Sequence, residues 1–318
     1  MSFVDRAKRF PWRHEAVLLL LIVLLLAIAG SLQPGFLQLR SQLLLSRHLW
    51  EFAILALGMT FVIISGGIDL SVGSNMGLSA VAFGVGYSAT GNPLLSGLLA
   101  VAAGTAAGAT NGLLVSRVNV HPLIVTLATY AAFRGIAEGI SQGASYSQFG
   151  AGFSRLARGQ WLGVPLPGYI FLVLAIGLAI ILAKTPTGRF LYAIGHNEQA
   201  ARYSGIAVQH IKLGLYTMSG ALAGLAAVIY VSRFDTAKAD AGQGFELDVI
   251  TAVVVGGTSI FGGRGNIVGT ILGLVLIHET RQFVGRYWQM DELRSIVIGF
   301  LLIASVLVYR MIRRPDLD

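Results

Sequence analysis

The sequence predicts an all-α integral membrane protein of about ten transmembrane helices with short loops, arranged as two related halves. Three observations carry this. Of 318 residues, 55% are apolar and only 12% charged, about half the charge of an average soluble domain. The mean hydropathy is +0.72. The apolar residues also fall in runs approaching the ~20 residues a helix needs to cross a bilayer. Runs such as Val17 to Ala29 do not alternate polar with apolar, which excludes the strands of a β-barrel. With no cysteine in the chain, disulfides, iron–sulfur clusters and thiolate zinc sites are excluded.

Ten runs are read as spans, at roughly 16–32, 49–65, 71–91, 94–116, 120–141, 167–183, 213–232, 247–262, 265–279 and 293–309. The first follows a basic stretch and carries Ala27-Ile28-Ala29, which fits a signal-peptide cleavage site. Because nine more spans follow, it is taken as uncleaved. The eighth and ninth are short and glycine-rich. The organisation is a segment 1–15, one membrane domain 16–309 with its longest cytoplasmic loop at 184–212, and a tail 310–318.

Lys and Arg in the loops orient the spans. With a cytoplasmic N-terminus, thirteen positives lie on that side: Arg6, Lys8, Arg9, Arg13, Arg117, Lys184, Arg189, Arg202, Lys212, Arg264, Arg310, Arg313 and Arg314. Nine lie outside: Arg40, Arg47, Arg155, Arg158, Arg233, Lys238, Arg281, Arg286 and Arg294. Asp235, Asp240, Glu246, Asp248, Asp291 and Glu292 add negative charge outside. Both termini are therefore expected in the cytoplasm. Because the positives are scattered singly, the net charge of +8 marks orientation and not a nucleic-acid-binding face.

The second and third spans meet at Ser65-Gly66-Gly67-Ile68-Asp69-Leu70-Ser71-Val72-Gly73-Ser74. Glycines permit a sharp turn. Asp69 either caps the next helix or lines a polar path together with Asn75. A second pair, Gly256-Gly257, precedes Thr258-Ser259-Ile260-Phe261-Gly262-Gly263-Arg264-Gly265-Asn266. Interrupted helices at corresponding places in two halves point to a transport site, although glycine-spaced helices also simply pack closely. The candidates beside a translocation path are Asp69, Asn75, Asn111, Gly66, Gly67, Gly256 and Gly257. Arg134 and Glu138, four apart on one helix face, are expected to satisfy each other. His278 and Glu279 are expected at a span end facing water.

In the 184–212 loop, Asn197 is a good N-cap, Glu198 suits a helix start and Gly205 is a good stop. A helix of about seven residues is expected there. Such a helix is marginal alone, so it docks on something.

No GxxxxGK[ST] motif is present, and none of Lys8, Lys184, Lys212 and Lys238 follows a glycine, so the P-loop form of ATP hydrolysis is excluded. No HExxH is present either. Gly143-Ala144-Ser145-Tyr146 lacks the glycine that follows the nucleophile of an intramembrane serine protease. No catalytic and no metal-binding residues are assigned.

Taken together, the 65–74 stretch, the Gly195–Ile206 stretch and Val253 to Gly269 resemble the permease subunit of ribose-type bacterial sugar ABC transporters, the monosaccharide and autoinducer-2-like import family. The resemblance covers roughly Ala53 to Leu307. It implies an inner-membrane permease that works as a homodimer or with a paralogue, in lipid, around one substrate path. It implies a periplasmic sugar-binding protein outside and an ATPase subunit beneath each permease. ATP and Mg are then used by that partner, and this chain binds no cofactor.

The resemblance also makes 184–212 the coupling loop to the ATPase, with Gly195, Asn197, Glu198, Ala200, Ala201, Arg202, Ser204 and Gly205 as its residues. His196 stands where the family more often has a small residue. Pentoses, deoxyhexoses and furanosyl signalling molecules are all compatible substrates. The alternatives are a branched-chain amino-acid ABC permease, against which the intact Gly66 to Ser71 stretch argues, and a stand-alone secondary transporter.

Overall fold

The structure is a computed structural model and describes residues 13–290, 293, 296–301 and 303. The chain is mostly helical. The first helix, α1 (Arg13–Leu32), is apolar on every side and leaves Leu19, Leu20, Val23 and Leu24 exposed. Next, α2 (Leu39–Leu45) and a 3-10 turn at Ser46–His48 meet α3 (Trp50–Ile64) at a bend of 58°. Every residue of α3 from Glu51 to Ile64 is buried, so it forms the centre of the bundle. Around it lie α4 (Val72–Thr90), α5 (Pro93–Ser116) and α6 (Pro122–Ser141).

A two-residue strand β1 (Tyr146–Ser147), a short helix α7 (Ala151–Arg158) and the hairpin β2 (Gln160–Trp161) and β3 (Val164–Pro165) lead to α8 (Leu166–Lys184). The chain continues through α9 (Pro186–His196), α10 (Glu198–Tyr203) and α11 (Val208–Phe234), then β4 (Thr236–Ala237), α12 (Phe245–Val255) and α13 (Ile267–Tyr287). The strand β1 pairs with β4, with Tyr146 opposite Ala237.

Helix ends follow local chemistry. Asn92 accepts from the N–H groups of Leu94 and Leu95 ahead of Pro93, His121 accepts from Leu123 ahead of Pro122, and Asn266 accepts from Gly269 at 2.6 Å. Each of these groups satisfies N–H donors that helix geometry leaves free. The expected spans from 16–32 to 167–183 fall on helices within about three residues. The eighth ends early, at Val255, because Gly257 takes a positive φ of 94°. The ninth continues to Tyr287. Most of 293–309 lies outside the described residues, as do Arg6, Lys8, Arg9, Asp291, Glu292, Arg294, Arg310, Arg313, Arg314 and the tail.

Six described helices are long and apolar enough to cross a membrane, or up to seven if the bent α2–α3 pair is one span. Two expected spans that lie on described residues, α4 and α12, are not among them. Serines and glycines dilute α4, which is buried along most of its length and so does not need a lipid-compatible surface. The 11 residues of α12 rise only about 16 Å.

Helices α5 and α11 pack backbone to backbone. A methyl added at Gly104 would lie 2.5 Å from the carbonyl oxygen of Gly220, and one at Gly220 would lie 2.7 Å from Cα of Gly108. Repeated glycines let the two backbones touch, as they do at close crossings in membranes.

The connections sort to two ends. The 65–71, 184–207 and 256–266 segments share one end, where Gly263 N–H donates to the Ile64 carbonyl at 2.9 Å. The start of α1 lies there too: His14 Nε2 donates to the Val255 carbonyl at 2.9 Å, and Asn266 donates to Glu15 at 3.0 Å. At the other end Arg286 donates to Ser41, Arg233 pairs with Glu51, and β1 meets β4.

Candidate functional site

The 184–212 loop folds as two helices, where the sequence suggested one. Thr185 accepts from Gly188 N–H at 3.4 Å and Pro186 opens α9. Asn197 then serves both helices: its N–H donates to Ala193 at 3.0 Å, closing α9, and its Oδ1 accepts from Ala200 at 2.9 Å, opening α10. Gly205, with φ of 79°, closes α10 through Gly205 N–H to Arg202 O and Ile206 N–H to Ala201 O. The hydroxyl of Ser204 donates to Ala200 O.

Only Ala201 of α10 is buried, clustered with Ile194 and Val208. Gln199, Ala200 and Arg202 face outward, and Tyr203 is 92% exposed. So exposed a tyrosine on so short a helix leaves an apolar surface without cover. A groove of about 570 Å³ runs beside it between α10 and Asn119 of the α5–α6 turn.

Glu198 fixes α10 to α11, accepting from Arg202 at 2.9 Å and Lys212 at 2.5 Å. Burial raises the Glu198 carboxyl, but the hydrogen bonds from Lys212 and Arg202 outweigh it and hold it below its ordinary value. Lys212, Asn119 and Tyr203 were not among the loop-site residues expected from sequence. Lys212 lies fourteen residues from its partner, beyond any helical spacing.

The two glycine breaks end their helices in the same way. After α3, Gly66 (φ 84°) donates to Ile63 O and Gly67 N–H to Val62 O; after α12, Gly257 (φ 94°) donates to Val254 O and Thr258 N–H to Val253 O. Both are the left-handed glycine closure that satisfies the last carbonyls of a helix. The equivalent residues are thus Gly66 and Gly257, one position out of step with a pairing of the two double glycines. Gly67 and Gly256 are buried and Gly66 is exposed.

Asp69 sits in a buried polar network. Its Oδ1 accepts from Ser71 N–H at 3.0 Å and Ser71 Oγ at 2.6 Å, and its Oδ2 accepts from Ser219 of α11 at 3.3 Å. Asn111 Nδ2 of α5 donates to Ser71 Oγ at 2.7 Å, Asn75 Nδ2 donates to Gly104 O at 3.2 Å, and Thr126 of α6 donates to Ile68 O. Asp69, Asn75 and Asn111 are each no more than 2% exposed. The network ties α4, α5, α6 and α11 together.

Two sequence expectations are corrected. Arg134 and Glu138 do not pair. Arg134 reaches across to the carbonyls of Ala239 and Ala241, while Glu138 is exposed and has no ion pair among the described residues. A guanidinium offers five donors, and here Nη1 serves both backbone carbonyls of a folded-over loop while Nη2 is buried without a hydrogen-bond partner. His278 and Glu279 do not face water. Both are buried, because α13 runs two turns beyond the expected end and packs its polar turns against the protein. Nearby, Arg233 donates to Glu51 at 2.7 Å and Arg281 pairs with Asp248, contacts that join residues far apart in sequence.

The buried central helix, the interrupted helices and the long apolar helices are those of a multi-pass membrane protein. Residues 47–306 match the family described as branched-chain amino acid transport system / permease component, and the chain belongs to that family. It is 39% identical over 292 residues to the ribose import permease protein RbsC of Bacillus subtilis (strain 168), covering 91% of this chain and 90% of that protein. It is 36% identical over 304 residues to RbsC of Escherichia coli (strain K12), covering 93% and 94%. It is likewise 36% identical over 305 residues to the autoinducer 2 import system permease protein LsrD of the same strain, covering 94% and 92%.

Proposed function

We propose that the chain is the membrane permease of an ATP-driven importer. It passes a monosaccharide or similar furanosyl compound from a periplasmic binding protein across the bacterial inner membrane. The observation that carries this reading is similarity over more than nine-tenths of the chain to permeases named for ribose and autoinducer-2 import. In this reading the chain has about ten spans in two related halves, supported by the identical closure of α3 and α12. Both termini are cytoplasmic, on the side of the 184–212 loop, and the start of α1 beside Val255 and Asn266 agrees. Two copies, or a copy and a paralogue, enclose the path in lipid.

The ATPase partner supplies the hydrolysis, with its own ATP and Mg. The outward face of α10, with Gly195, Asn197, Glu198, Ala200, Ala201, Arg202, Ser204 and Gly205 building or supporting it, is the docking element. Its motion matters only if contacts differ between the inward- and outward-open states. Asp69, Asn75 and Asn111 hold the helices behind the path, and the Gly66–Gly67 and Gly256–Gly257 turns lie beside it.

The test is uptake of radiolabelled ribose by cells carrying Arg202→Ala or Gly205→Ala. Uptake is expected to fall sharply with the permease still in the membrane. Wild-type uptake with normal ATPase association in both variants would sink the docking assignment. The family's description also names branched-chain amino acids. Uptake of leucine in place of ribose by the wild type would transfer the substrate reading to them.

A further inference from the structure

We infer that Gly195, with Gly262 and Gly263, is a positioning element that ties the docking segment to both interrupted helices; this rests on the coupling reading above. Asn197 is shared as the end of α9 and the cap of α10. A displacement of α10 therefore reaches Gly195, two residues earlier, through the last turn of α9.

At Gly195 three backbones cross. The Ile64 carbonyl at the end of α3 accepts from Gly263 N–H at 2.9 Å. A methyl built on Gly195 would collide with that carbonyl oxygen and with Gly263 N, and would lie 3.0 Å from the Ile64 carbonyl carbon. One built on Gly262 would lie 2.8 Å from the Gly195 carbonyl oxygen and 2.9 Å from both Cα and N of Gly66. Gly262 and Gly263 both have positive φ, 83° and 72°, so the turn itself also requires glycine. A second tie lies one turn back on α9, where the Tyr192 hydroxyl donates to Gly265 O at 2.7 Å.

Side chains at such a crossing could rotate and absorb a small movement. Backbone against backbone cannot, because close-packed interiors transmit displacement. Movement of α9 therefore has to be shared by the end of α3, which leads into α4, and by the 256–266 segment, which leads into α13. The crossing also explains why two glycine breaks far apart in sequence sit at one place.

The test uses the full chain co-purified with its ATPase subunit in lipid nanodiscs, by amide hydrogen exchange with and without MgATP plus vanadate. In the wild type, trapping is expected to change exchange in both 62–70 and 256–266. Gly195→Ala is read in preparations in which the ATPase co-purifies. The trapped response in 256–266 should be lost, and ribose imported per ATP hydrolysed in proteoliposomes should fall roughly tenfold. Tyr192→Phe, which removes one hydroxyl and no packing, is expected to show the same loss at a few-fold and decides the matter if Gly195→Ala does not assemble.

A wild-type response and import ratio in both variants would overturn the proposal. If those two are normal while Arg202→Ala is uncoupled, only the junction fails. If the ATPase does not bind the wild-type chain, the coupling reading fails and takes the junction with it.

Discussion

Replacing Gly108 by Ala probes the seam between α5 and α11. The new methyl would lie 2.8 Å from Cα of Gly220 and 2.9 Å from its N, closer still to the Tyr216 carbonyl, where ordinary contact begins at 3.4 Å. The helices must part by about 0.6 Å or more to accept it, and overpacking of this kind costs about 1–3 kcal/mol. Parting also strains the bonds that cross the seam's neighbourhood, from Asn111 to Ser71 and from Asn75 to Gly104. The gain in helix propensity that alanine gives in water has little counterpart here, since a helix in lipid keeps its backbone bonds whether or not it is packed.

Gly135 on α6 is the matched control, because a methyl there meets nothing within 4 Å. Unfolding in mixed micelles, followed by tryptophan fluorescence, is expected to show a loss of about 1–3 kcal/mol for Gly108→Ala. Gly135→Ala should stay within about 0.5 kcal/mol of wild type. Equal shifts in the two variants, or none at Gly108, would refute the argument that the seam is closed by backbone contact.

The Glu198 carboxyl is held below its ordinary value of 4.5, so its pairing with Lys212 and Arg202 is fully present above that value. It is lost as pH falls through the folded-state pKa. Pepsin cleavage within 184–212 should therefore accelerate below about pH 4.5 in the wild type, and Glu198→Gln should be cleaved faster without that pH dependence. Asp69→Ala leaves the Ser71 N–H and hydroxyl and the Ser219 hydroxyl without their acceptor, and should cost about 2–3 kcal/mol in the same unfolding assay. Asp69→Asn, which keeps the Oδ1 acceptor, should recover part of it. Arg134→Ala should speed hydrogen exchange in 238–244 by freeing the Ala239 and Ala241 carbonyls, while Glu138→Gln should leave that segment unchanged. Equal effects at the two positions would restore the expected intrahelical pair.

The residues legible from sequence were those whose roles are local. Asn197 and Gly205 bound a helix because a side-chain acceptor and a left-handed residue act within one turn of the backbone, and both were readable from their spacing. Arg134 and Glu138 were misread by the same logic. The four-residue spacing permits a pair, but carbonyls more than a hundred residues away compete for the guanidinium. The burial of His278 and Glu279 was hidden because hydropathy falls where α13 becomes polar, even though packing carries the helix on. Two of the expected spans, α4 and α12, fall short of a hydropathy count for a related reason. A helix enclosed by protein is not selected for lipid contact, and a glycine turn can end one halfway across.

By itself the sequence determined that the protein is a membrane-embedded bundle, where many of its helices begin and end, and which loop carries a short helix bounded by Asn197 and Gly205. Apolar length and terminal hydrogen bonds are properties of short stretches of chain. Only the tertiary structure decided that Gly66, Gly195 and Gly263 meet at one crossing, that Asp69 faces Ser219 in the interior, and that Gly66 matches Gly257 in conformation. Each of those depends on backbones approaching closely enough to exclude side chains. That distance is set by how the helices pack and not by anything written along a single run of residues.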